Sequence, residues 1–115
     1  MNELQEQCIQ AAIDYGIAAY EVISDSKRTN KLYDLSRKLF VTLKKQPDGI
    51  QGLYELLNHE HPYVKYMAAI YLLAVDEPRA KQEINYLVGF SRHLDFSIKY
   101  LLIEWDNGNL KEYYS

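Results

Sequence analysis

An all-α domain of about six helices, arranged as three stacked antiparallel pairs in a short right-handed solenoid, is the fold class this sequence predicts. Three observations predict it. Apolar residues recur at spacings of three and four, and strand-type alternation is sustained nowhere. Pro47, Pro62 and Pro78 each stand where a new periodic segment begins, as proline does in a first helical turn. Val64-Lys65-Tyr66-Met67 returns as Ile98-Lys99-Tyr100-Leu101, 34 residues later, with Leu53 answered by Leu87 and His59 by His93 at the same offset. One helix pair per unit of that length is the pattern of stacked helical repeats that share a continuous core.

The first helix is expected from about Asn2 to Ile23. Its stripe is Leu4, Cys8, Ala12, Tyr15, Ala19 and Val22, and Gly16 is a point where it could kink or divide. The second is expected over Lys27 to Lys45 after a Ser24-Asp25-Ser26 cap, with Leu32, Leu35, Leu39, Phe40 and Leu43 inward. The third runs from about Asp48 to Asn58 on Ile50, Leu53, Tyr54 and Leu57. The fourth, Pro62 to about Val75, is apolar almost all round, so it should be central and covered on two sides. The fifth, Glu77 to about Val88, has the single stripe Ala80, Ile84, Leu87 and Val88. The sixth, from about Asp95 to Asn107, faces Ile98, Leu101, Leu102 and Trp105 inward, and Gly108 is a ready C-terminal cap. Short connections force neighbouring helices to run antiparallel.

The 115 residues form one domain, residues 1–115, long enough for a core without disulfides or metal. The hydrophobic share of 48% and charged share of 25% exclude a disordered or fibrous chain. No apolar run approaches the roughly 18 residues of a membrane span, and the acidic, polar start is unlike a signal peptide. No membrane partner is expected. Cys8 is the single cysteine, so no internal disulfide can form, and a reducing cytoplasm is the expected location. The net charge of −3 gives no overall pull toward nucleic acid. Eleven tyrosines are unusual for this length. Most are expected half-buried between helices with the hydroxyl in water, which leaves some to serve a binding surface.

The stretch Leu56-Leu57-Asn58-His59-Glu60-His61-Pro62-Tyr63-Val64-Lys65-Tyr66-Met67-Ala68-Ala69 resembles the HEAT-repeat pattern, in which a turn leads into a helix carrying Val, a basic residue and paired alanines. Residues 25–33, the run Tyr71 to Asp76, and Phe96-Ser97-Ile98-Lys99 through Glu104-Trp105-Asp106-Asn107-Gly108-Asn109-Leu110 are similar to a small bacterial HEAT-like family of unknown function. The resemblance spans roughly residues 10–110, and its most specific part is the Glu-Trp-x-x-Gly-x-Leu ending. It implies an α-α superhelix with no catalytic residues, and some members of such families are linked to toxin-neutralising immunity proteins. The chain departs from the HEAT pattern at Lys65, where Arg is the rule, which removes the bidentate fork a carboxylate ladder would use.

Residue chemistry points away from catalysis. His59-Glu60-His61, with His93 at the equivalent place, offers two ligands in a turn where zinc needs three or four converging, so a polar helix start is the preferred reading. Cys8 lies on an apolar stripe and reads as a small buried hydrophobe. Glu104 and Asp106, two apart, point to different sides of a helix. No nucleophile elbow, phosphate-binding glycine loop or His-Glu-x-x-His is present. No cofactor and no metal are expected.

The second helix is the charge anomaly. Seven basic residues stand against Asp34 alone, a local +6 that leaves −9 on the rest of the chain. Lys27, Lys31, Lys38 and Lys45 fall within a stripe about 40° wide, opposite the apolar face. Such a stripe can engage an anionic partner, nucleic acid included. HEAT-like DNA-repair glycosylases use a basic groove in this way, and the plainer reading is a solvated outer face. The expectation as a whole is a non-enzymatic protein-protein interaction module of a bacterial cytoplasm, with an immunity or antitoxin role among its forms. Tyr63, Lys65, Tyr66, Lys99 and Tyr100 are its expected contacts, because they lie on second helices off the most regular stripes. A nucleic-acid-binding module is the alternative, and self-association is open to a repeat stack with an uncapped end.

Overall fold

The turn residues set the helix starts. His61, in extended backbone, accepts the Tyr63 backbone N–H on its Nδ1 (3.2 Å) and opens α4 (Pro62–Leu72), with Pro62 in first position where no donor is needed. Asp76 accepts from the Arg79 backbone N–H (3.3 Å) and opens α5 (Glu77–Tyr86). Ser91 accepts from Leu94 N–H (3.0 Å) and opens α6 (Arg92–Asp106), three residues earlier than periodicity alone suggests. Those three sit in a computed structural model that describes residues 2–20 and 26–110, together with α1 (Glu3–Tyr20), α2 (Ser26–Lys45) and α3 (Gly49–Leu56). The described residues contain six helices and no strand. Ser24 and Asp25 of the expected cap, and Val22 and Ile23 of the expected first helix, lie outside the described residues.

Expected helix ends differ from the observed ones by at most three residues wherever both are described. Pro47 is the exception among the prolines: it lies in the α2–α3 turn, ahead of α3. Gly108 closes α6 at φ +78°, a conformation glycine takes without a Cβ penalty, and its N–H reaches Trp105 O at 3.0 Å.

α4 is the hub. It touches α1, α2, α3 and α5, and nine of its eleven residues are buried. α6 is fastened to α5 by the Trp105 indole N–H donating to Glu77, and by Lys81, which lies 3.2 Å from both Glu77 and Asp106 carboxylate oxygens. α3 is tied to the start of α5 by the Tyr54 hydroxyl donating to Asp76 at 2.7 Å. Gln5, buried in α1, donates to Gly52 O and to Glu55, joining α1 to α3. The radius of gyration, 13.3 Å, matches the value of about 13 Å for a compact domain of this length, so the helices are not drawn out along an axis.

Three expectations about helix faces are corrected. Val88, expected on the inner stripe of the fifth helix, is exposed and lies beyond the end of α5 at Tyr86. Leu35 is half exposed, because the buried stripe of α2 runs through Ser36, Phe40 and Leu43, and Leu35 lies about 100° away from that line. Gly16 does not divide α1, which is continuous through it. Its missing side chain instead lets α1 and α4 approach: a Cβ there would stand 2.6 Å from Tyr63 Cδ2.

Candidate functional site

The aromatic residues of four helices converge on one place. Tyr15 of α1 meets Tyr33 of α2 edge-on at 5.2 Å and Tyr63 of α4 at 5.5 Å, and its ring is 6.1 Å from His93 of α6. Tyr63 and His93 share a hydrogen bond between the phenol oxygen and Nδ1, 2.8 Å. Burial pushes the Tyr15 phenol well up and the His93 imidazole down, so both are neutral near pH 7. Outward of this cluster lies a cleft of about 490 Å³, within the range of ligand sites. Its floor is Tyr15, Tyr66 and Leu101, and its rim carries Tyr33, Phe96 and Tyr100. Its polar lining is Thr29, Asn30, His93, Ser97 and Glu104. Two other depressions are less enclosed by chemistry. One of about 660 Å³ is larger, but its described lining comes from α2 alone, including Arg37 and Lys38. The other, about 290 Å³, lies between Lys65, Glu60, Glu83 and Phe90.

The expected contact residues are thereby divided. Tyr63 is wholly buried and Tyr66 is 4% exposed, so neither is a surface contact. Tyr63 is enclosed by Tyr15 and Gly16 of α1 and His93 of α6, and Tyr66 lies at the floor of the cleft. Lys65 is partly exposed and belongs to the smallest depression. Lys99 and Tyr100 are exposed on α6. The stripe Lys27, Lys31, Lys38 and Lys45 is exposed along α2 as expected.

The 34-residue repeat holds in burial at Val64 and Ile98, Met67 and Leu101, and Leu53 and Leu87. It breaks at one pair: Tyr66 is covered, whereas Tyr100 is 61% exposed. Phe96 (71%) and Ile103 (47%) flank Tyr100 at helical spacing, a second apolar stripe on α6 opposite Leu94, Ile98, Leu101 and Trp105. Sequence reasoning named Tyr100 but passed over Phe96 and Ile103. The signal was present, since a helix with two apolar stripes reads like α4 with one face uncovered.

His59 and His61 do cap work. The His59 Nδ1 accepts from the His61 backbone N–H (3.0 Å), and the His61 Nδ1 accepts from Tyr63. Among the described residues no three His, Cys, Asp or Glu side chains are grouped as metal ligands. The Cys8 thiol is pushed up to about 12 by burial, far from a reactive thiolate. No family model, curated protein or solved structure matches the chain.

The histidines give a pH dependence. Burial lowers His61 and His93 below the ordinary value of 6.5, with His59 adding to the effect on His61. A group that is depressed in the folded state binds more protons when unfolded, so its contribution is present above about pH 6.5 and is lost as pH falls. The thermal midpoint is expected to drop between about pH 7 and pH 5.5, and His93→Gln, which can still accept from Tyr63, should flatten that drop. An unchanged slope in the variant would remove His93 as a cause.

Proposed function

We propose that this chain is a non-enzymatic helical recognition module, HEAT-like in arrangement, that holds a protein partner against the open face of α6 and the aromatic cleft beside it. The observation that carries the reading is the uncovered stripe Phe96, Tyr100 and Ile103. An apolar stripe left in solvent on one face of a helix is surface that a partner can cover. Aromatic side chains on a rigid helix anchor interfaces at small cost in side-chain entropy. The resemblance to HEAT-like bacterial proteins supports the same role, and neutralisation of a toxin is its specific form.

The test is capture from nuclease-treated lysate, followed by remixing of the purified components. The wild-type chain should hold a protein in stoichiometric complex, and Phe96→Asp with Tyr100→Asp should release it at least about a hundredfold, the cost of losing two anchors. Both positions are exposed, so the variant should keep its thermal midpoint. Equal capture by the variant would sink the reading. So would salt-sensitive oligonucleotide binding that depends on Lys31 and Lys38, which would move the function to α2.

A further inference from the structure

The cleft has a charge character that the α6 stripe lacks. Glu104 is the sole charged side chain among its described lining residues, and five aromatic rings surround the space. Asn109 Nδ2 donates to one Glu104 oxygen at 2.8 Å, which holds the carboxylate in place at the edge of the rings. A site built this way offers π faces, one anion and the polar side chains of Asn30 and Ser97.

We infer that the cleft receives an arginine side chain carried by the partner polypeptide, an inference that rests on the protein-recognition reading above. Aromatic faces attract a cation, and the guanidinium is the cation that is weakly hydrated, planar enough to lie on a ring, and able to fork onto a carboxylate. Its five donors need several acceptors, which Glu104, Ser97 and Asn30 supply. A quaternary ammonium has no donors and would leave these acceptors unused. A lysine ammonium is a compact charge that gives up its water less readily. The volume exceeds one side chain, so adjoining peptide can enter against Phe96 and Tyr100. Lys27, Arg28 and Lys31 flank the α2 wall without lining the cleft, so the competing ligand is an acidic peptide held by them.

The experiment titrates the whole chain with short blocked peptides that differ at one central residue: arginine, citrulline, lysine or glutamate. Citrulline keeps the shape of arginine and removes the charge. The arginine peptide should saturate and shift the amide resonances of Ser97 and Tyr100, and citrulline should bind at least about tenfold more weakly, the size of one charge-assisted hydrogen bond. Glu104→Gln should erase the difference between arginine and citrulline while leaving the thermal midpoint in place. Equal binding of citrulline, or preference for the glutamate peptide, would overturn the inference. Methylguanidinium binding as tightly as the peptide would assign the cleft to a free small cation and overturn the partner's part in it. A partner released by Phe96→Asp with Tyr100→Asp but indifferent to Glu104→Gln would leave the recognition reading standing and remove the arginine.

Discussion

Trp105→Ala is expected to lower stability by about 3–5 kcal/mol, the usual cost of emptying a large aromatic site in a core. That is a large part of the 5–15 kcal/mol that holds a domain folded, and in a chain of this size it corresponds to roughly 10–20 °C in thermal midpoint. Trp105 is 4% exposed and completes the inner stripe Leu94, Ile98 and Leu101, so the lost area lies where α6 meets the rest of the fold. Its indole N–H also donates to Glu77, which Lys81 approaches at 3.2 Å. Trp105→Phe keeps most of the buried area and removes only the donor, so it should cost distinctly less. A midpoint within a degree or two of wild type for the alanine variant would show that α6 is not docked through this residue.

Tyr63→Ala should cost a similar 3–5 kcal/mol, and its value as a test comes from its pairing with Gly16. The Tyr63 ring is held against Tyr15 at 5.5 Å and by its hydroxyl at His93, 2.8 Å. A Cβ at Gly16 would meet it at 2.6 and 2.8 Å, near the base of the ring, which has no room to withdraw. Gly16→Ala gains about 1 kcal/mol of helix propensity and loses about 1–3 kcal/mol to overpacking, so it should destabilise the wild-type chain. In the Tyr63→Ala background the ring atoms at 2.6 and 2.8 Å are gone and only the Cβ, 3.2 Å away, is left, so the same substitution should cost distinctly less. Urea unfolding of the four proteins measures the difference. The same cost in both backgrounds would mean that α1 and α4 do not meet at Gly16.

A point common to both tests is how α4 and α6 differ. The two helices share the sequence pattern Val/Ile-Lys-Tyr-Met/Leu, yet Tyr66 is enclosed and Tyr100 faces outward. No basic residue of α2 is among the described residues that line the cleft with Phe96 and Tyr100.

The sequence by itself determined the helices. Six segments, their starts at Pro62, Glu77-Pro78 and the residues before them, the central place of α4, the cap at Gly108 and the inward stripe ending at Trp105 follow from periodicity and turn chemistry, which act within a few residues of chain. The tertiary structure alone decided which apolar faces are covered. Tyr63 reads as a surface tyrosine until Tyr15 and His93 close on it, Leu35 reads as core until Ser36 takes the contact line, and Gly16 reads as a hinge until Tyr63 is seen against it. The aromatic cleft draws its lining from positions as far apart as Tyr15 and Leu110. Periodicity states that a face is apolar, but what covers it is set by residues brought from elsewhere in the chain, and no spacing along one helix encodes that contact.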